Sequence, residues 1–114
     1  MNNREKGEIG ENIASKYLLN KGAEILERNY RIRSGEIDII AKLDNELVFI
    51  EVKSRSNKNY GSPCESVNYK KIKKITNTAK YYMLINNLYE VPVRFDVVEI
   101  YFGDKKLKHI VNAF

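Results

Sequence analysis

Two carboxylates and an ammonium stand out in the stretch from Gly35 to Arg55, GEIDIIAKLDNELVFIEVKSR: Asp38, Glu51 and Lys53. The stretch reads as two β-strands joined by a tight turn at Asp44-Asn45. Side chains along a strand alternate between faces with period two. Glu51 and Lys53 therefore share a face with Leu47 and Phe49, at the end of an apolar strand. On the preceding strand Glu36, Asp38 and Ile40 share a face. Pairing the strands as a hairpin brings Asp38 and Glu51 together. A hard cation such as Mg2+ takes oxygen ligands, commonly one or two carboxylates with water and a substrate phosphate. Asp38 and Glu51 supply two carboxylates, and the Val52 backbone carbonyl supplies a further oxygen. A metal there can activate water and neutralise phosphoryl oxygens. Lys53, a compact point charge, can steady the attacking water or the phosphate. The bland alternative is a same-face ion pair between Glu51 and Lys53, worth about 0–1 kcal/mol. A Glu-x-Lys triplet alone is weak; the upstream acid and the basic segment that follows strengthen it.

The elements that must position these groups can be read from periodicity and turn chemistry. Asn3 to Lys21 reads as a helix, with Ile9, Ile13, Ala14, Tyr17 and Leu18 at helical spacing and Gly22 as its stop. Gly7 and Gly10 on one face of it imply close approach by another element. Glu11 falls on the stripe of Ala14 and Leu18; it is either a boundary residue reaching for water or a third acid aimed at the site. Strands follow from Glu24 to Arg33, Glu36 to Lys42 and Glu46 to Arg55. After the polar segment SNKNYGSPC comes a second helix, Glu65 to Asn87, with Ile72, Ile75, Ala79 and Tyr82 inward and an apolar Tyr81–Leu84 end that implies deep packing. A fourth strand runs from Val91 to Phe102, and a short fifth from Lys106 to Val111. Three strands joined by short turns make an antiparallel meander. The long helix between the third and fourth strands makes that pair parallel. The expected fold class is α/β, a mixed sheet flanked by helices.

The chain has 114 residues and a net charge of +5, which fits one domain, residues 1–114. The lone Cys64 precludes an intramolecular disulfide and fits a reducing compartment. No apolar run reaches membrane-spanning length, and the N-terminus lacks the apolar segment of a secretory signal, so the expected location is cytoplasmic, with no membrane partner. The charge is unevenly placed. Residues Lys53 to Lys80 carry +7 and the remainder −2. A basic segment of this kind attracts polyanions, nucleic acid first; the alternative is a solvated, lysine-rich helix face. One histidine and one cysteine rule out a structural zinc site. A Ser-His-Asp triad would have to use His109, which reads as an ordinary surface residue. Arg94 and Asp96 read as a structural pair.

Asp38, twelve intervening residues and then Glu51-Val52-Lys53 resemble the signature of the PD-(D/E)XK nuclease superfamily. The order α-β-β-β-α-β is the common core of that restriction-endonuclease-like fold. Across nearly the whole chain the sequence is similar to the small, uncharacterised YraN-like bacterial family. The residues that carry this include Gly10-Glu11, Asn29-Tyr30-Arg31, Gly35-Glu36-Ile37-Asp38, Phe49-Ile50-Glu51-Val52-Lys53 and Arg94-Phe95-Asp96-Val97-Val98. The resemblance implies cleavage of phosphodiester bonds in DNA, or in RNA, with Mg2+ (or Mn2+) as cofactor. Among characterised relatives it is most similar to Holliday-junction resolvases, which extends the expectation to branched DNA. Their glutamate on the first helix, aspartate on the second strand and Glu-x-Lys on the third carry over to Glu11, Asp38, Glu51 and Lys53. The proline that usually precedes the signature aspartate is Ile37 here. On this reading Asp38, Glu51 and Val52 hold the metal. Arg55, Lys58, Lys70, Lys71, Lys73 and Lys74 hold the phosphate backbone, and Tyr60 and Tyr69 offer stacking surfaces. Two symmetric cuts in a junction would need a two-fold homodimer. The rival readings are a non-cleaving nucleic-acid-binding module on the same fold and an interaction scaffold.

Overall fold

The computed structural model describes residues 2–56 and 68–114. Expectations placed on Lys58, Tyr60, Cys64 and a helix start at Glu65 lie outside the described residues. The elements are α1 (Asn3–Asn20), β1 (Glu24–Ile32), β2 (Gly35–Leu43), β3 (Glu46–Arg55), α2 (Tyr69–Ile85), β4 (Val93–Tyr101) and β5 (Lys106–Ile110). They form one five-stranded sheet in the order β1-β2-β3-β4-β5. Only β3 and β4 pair in parallel; the other neighbours are antiparallel. This is the expected mixed α/β architecture, an αβββαβ core with β5 added at the edge.

Local chemistry explains the joints. Asp44 and Asn45 both take left-handed φ, 55° and 63°, the signature of the two-residue turn that matches strand twist. The Asn2 side chain accepts the Glu5 N–H at 2.8 Å and starts α1. Gly22, at φ +94°, ends it, because a side chain there would be strained. Asn68 caps α2 by accepting the Lys71 N–H at 3.0 Å.

The two helices cover opposite faces. On one, Ala14 and Leu18 of α1 pack with Ile39, Val48, Ile50 and Val98. On the other, Ile75, Ala79 and Tyr82 of α2 pack with Ile37, Ile40 and Phe49. Burying each such aliphatic side chain contributes about 1.5–3 kcal/mol. Phe49 stacks on Phe95 and meets Tyr82 edge-on, which ties α2 to the centre of the sheet.

Three expectations need correction. Ile9 and Ile13 are exposed, because α1 docks through the narrower Gly10–Ala14–Leu18 stripe. The C-terminal end of α2 is not deeply packed: Tyr81, Leu84 and Ile85 are exposed and Tyr82 alone of that run is buried. Strict alternation along β2 also fails. Ile37 and Ile39, two apart, join opposite clusters. The strand turns over at Asp38, beside the left-handed Asn29 (φ 53°), whose neighbours Arg28 and Tyr30 pair with Ile39 and Ile37.

Candidate metal and phosphate site

The turnover at Asp38 builds the site. The ladder between β2 and β3 runs from Leu43↔Glu46 to Ile39↔Ile50 and goes no further. Beyond it the Val52 N–H donates to Asp38 Oδ2 at 2.8 Å, so a carboxylate takes the place of a strand carbonyl. Asp38 thus lies in the fork between two diverging strands. A cleft of about 330 Å3 reaches it from the α1 side, past Lys6, Glu11 and Ser54. Another of about 230 Å3 reaches it from the α2 side, past Glu51, Lys71 and Lys74.

Two glycines let the helices approach the fork. A Cβ on Gly10 would overlap the Ser54 hydroxyl and lie 3.2 Å from Ser54 Cβ. A Cβ on Gly35 would overlap the Thr78 hydroxyl and lie 3.1 Å from the Lys74 carbonyl oxygen. The first contact seats Glu11 beside β3. The second seats the β1–β2 turn against α2, next to Lys71.

The electrostatics are tense. Burial, and then contact with the Glu51 carboxylate, push the Asp38 carboxyl up to about 8. Burial and the neighbouring Lys71 bring the Lys53 ammonium down to about 8. Burial also pulls on Lys71, but its contacts with Lys53 and Glu51 outweigh it and raise its pKa. Lys71 Nζ stands 3.4 Å from Glu51 Oε2, with the Glu51 side chain 8% exposed. Two acids and two lysines therefore share one spot, with Lys71 paired to Glu51. Glu11 is raised by burial and then by the Asp38 charge. Its side chain lies 3.7 Å from the Arg28 guanidinium.

The structure thus brings Asp38, Glu51, Val52, Lys53 and Lys71 together, with Glu11 at the edge. Among the described residues no three His, Cys, Asp or Glu side chains gather closely enough to hold a metal on their own. The donor set still fits a hard divalent ion of the Mg2+ kind, which needs one or two carboxylates and completes its shell with water and substrate oxygens. The raised Asp38 supports that fit, since two adjacent carboxylates favour a cation between them.

The basic residues separate into two kinds. Lys70, Lys73 and Lys74 are exposed on α2, and Tyr69 is 79% exposed. Arg55 is different: its side chain is 15% exposed and its Nε donates to Glu99 Oε2 at 3.1 Å. Glu99 pairs with Lys53 across the β3–β4 ladder and is fully buried. Its other oxygen has no hydrogen-bond partner among the described residues. Glu99 escapes sequence reasoning, although a charge inside the run VVEIY is a signal that it needs a partner.

His109 is not the ordinary surface residue expected. Its side chain is 6% exposed, and its Nε2 meets Asp96 Oδ2 at 2.7 Å while its Nδ1 meets the Tyr17 hydroxyl at 2.9 Å. Asp96 also accepts from Arg94 Nε at 3.0 Å and from the Asn112 N–H at 3.1 Å. Arg94 reaches on to Glu46 at 3.2 Å. The expected Arg94–Asp96 pair is present, as part of a longer chain of bonds that no local pattern announces.

The model of the uncharacterised protein family UPF0102 matches residues 10–100. The chain is 60% identical to a UPF0102 protein of Clostridioides difficile (strain 630), over 100% of both chains. It is 48% identical to one of Clostridium novyi (strain NT), over 98% of this chain and 97% of the relative. It is 42% identical to one of Caldanaerobacter subterraneus subsp. tengcongensis, over 100% of this chain and 98% of the relative. Among solved structures, that of Pyrococcus furiosus SfsA in complex with Ca2+ is similar over 93% of this chain and 62% of that one, with 17% identity and a TM-score of 0.36.

Proposed function

The chain belongs to the UPF0102 family, and we propose that it is a divalent-metal-dependent nuclease that hydrolyses phosphodiester bonds, with DNA as its substrate. The observation that carries this reading is the cluster at the fork, where Asp38 and Glu51 meet Lys53 and Lys71. Two carboxylates facing a phosphate would repel it unless a cation lay between them. When bound, a divalent ion there supplies activation of water and neutralisation of the phosphoryl oxygens.

The chain's own residues do the rest. Asp38 and Glu51 would hold the cation. Asp38 is itself held by the Val52 N–H, which fixes one of its oxygens, while its carboxyl also meets Glu51. Lys53, brought down to about 8, stays mainly an ammonium near neutral pH, able to donate to a phosphoryl oxygen or steady an attacking water. Glu11 adds negative potential from the α1 side. The start of α2 carries no acid in its first turn but presents Lys70, Lys71, Lys73 and Lys74. Cations in the first turn of a helix, here Lys70 and Lys71, oppose the macrodipole, each at a cost of about 0.3–1 kcal/mol. A phosphate backbone relieves that repulsion and binds the helix end as well.

The rival is a module that binds nucleic acid without cutting it. Its support is that Glu11 lies within reach of Arg28 and that, among the described residues, no third acid closes on the fork. One experiment separates the two: a labelled panel of linear duplex, single strand, flap, four-way junction and structured RNA, incubated with Mg2+ or Mn2+. Parent protein and Lys53→Ala are compared. The expected result is cleavage by the parent, reduced about 10²–10⁴-fold in Lys53→Ala, with most nucleic-acid binding retained. Binding without cleavage of any substrate would sink the nuclease reading in favour of the module. Equal cleavage by both proteins would remove Lys53 from the chemistry.

A further inference from the structure

Lys71 differs from its neighbours in the basic run. Lys70, Lys73 and Lys74 are exposed, whereas Lys71 turns inward, with its ammonium 3.4 Å from the buried Glu51 carboxylate and in contact with Lys53. Its side chain is 40% exposed, so it reaches from solvent into the acid pair rather than being sealed within it. Its backbone is fixed, because Asn68 accepts the Lys71 N–H and Gly35 lets the β1–β2 turn seat against α2 one turn further on. The lysine stem is not fixed in the same way: four rotatable carbons let an ammonium move several ångströms with no change in the helix.

We infer that Lys71 is a tethered counter-ion: it neutralises Glu51 in the metal-free protein, gives Glu51 up when a divalent cation binds, and moves to the substrate phosphate. This rests on the reading of Asp38 and Glu51 as the carboxylates of a cation site. A carboxylate pair in a half-buried fork favours a cation beside it, and Lys71 is the ammonium that the structure places on Glu51. A divalent ion carries twice the charge and can face both carboxylates, so it outcompetes a single ammonium for them. The released ammonium then lies at the mouth of the α2-side cleft beside Lys74, where an arriving phosphate would pair with it. Metal and nucleic acid thereby assist each other's binding, and by linkage the assistance is equal in both directions. Lys71 is on this account a positioning residue until substrate arrives.

The test is calorimetric titration of Mn2+ into the full chain, as parent, Lys71→Gln, Lys71→Met, Lys80→Gln and Asp38→Asn, with each variant's folding checked by its melting curve. Losing the counter-ion is expected to tighten Mn2+ binding about tenfold in both Lys71 variants. Lys80→Gln, which removes an exposed charge on the same helix, is expected to stay within about twofold of the parent. A purely structural Lys71 would have the opposite sign, since loosening the fork weakens metal binding. Oligonucleotide binding in Ca2+ supplies a second readout: the slope of log affinity against log salt is expected to fall by about one in Lys71→Gln. If Mn2+ affinity is unchanged or weaker in the Lys71 variants while Asp38→Asn loses it, the inference is overturned and the cation site stands. If the parent binds no Mn2+, or Asp38→Asn binds it as the parent does, the cation-site reading falls and the inference with it.

Discussion

The charge clusters around Asp96 and around Asp38 lie in the same small sheet, and they are built on opposite terms. In one, Asp96 is fully buried and accepts from Arg94, His109 and the Asn112 N–H. Burial alone would raise its pKa, but those hydrogen bonds win and hold it below the usual carboxylate range. In the other, Asp38 accepts one backbone N–H and faces a second carboxylate, and its pKa rises to about 8. The same residue type, on strands of the same sheet, is thus shifted in opposite directions. A carboxylate supplied with donors on every side acts as a staple. A carboxylate set against another acid is left with a raised pKa even though lysines stand beside it.

That contrast can be broken by experiment, most forcefully at Asp96. Asp96→Ala leaves the Arg94 guanidinium buried without its main partner, and is expected to cost about 3–5 kcal/mol in urea unfolding. Metal affinity should stay at the parent value in whatever fraction remains folded. A variant of normal stability that has lost metal binding would show that Asp96 belongs to the site.

Asp38→Asn sharpens the other side. Asparagine keeps the acceptor for the Val52 N–H but removes the charge beside Glu51. The metal-free variant is expected to be more stable than the parent at pH 8, by about 1–3 kcal/mol. The sign follows from the raised pKa. The Asp38 contribution is complete below its unfolded value of about 4, and is lost as pH rises toward about 8. Asp96, depressed in the fold, behaves oppositely: its contribution is present above about pH 4 and is lost as pH falls further. Stability measured against pH in the two single variants should therefore diverge in opposite directions from the parent. Parallel curves would erase the distinction.

The smallest effect is expected at Gly35. An alanine there presses on Thr78 and the Lys74 carbonyl, and should cost about 1–2 kcal/mol by overpacking. Because this contact seats α2 over the fork, Gly35→Ala should also weaken Mn2+ binding. A stability loss with unchanged metal affinity would uncouple the helix from the site.

Much of this was legible in the chain. Strand alternation, the Asp44-Asn45 turn and the Gly22 stop located the elements, with boundaries moved by a few residues. The Asp38, Glu51 and Lys53 spacing pointed to one end of one hairpin, and the structure brings those residues together. Three things were hidden, each for a physical reason. The inversion at Asp38 lies opposite the left-handed Asn29 of the neighbouring strand, an irregularity that period two along β2 does not carry. The partners of charged residues are chosen across the fold: Glu99 takes Arg55, and His109 takes Asp96 and Tyr17. The inward turn of Lys71 is set by the register of α2 on the sheet, which spacing within the lysine run does not encode.

The left-handed Asn29 has a consequence beyond the site. A sheet in sequential order has two open margins, and an open margin invites strand-by-strand growth into aggregates. Here β1 carries a bulge between Ile25 and Glu27 and then the left-handed Asn29, with Glu24, Glu27, Arg28 and Arg31 along it. The opposite margin, β5, is five residues long and carries Lys106 and Lys108. Neither margin offers a long, flat, uncharged template. The irregular strand that carries Asn29 beside Asp38 thus also gives the sheet a margin poorly suited to strand-by-strand growth.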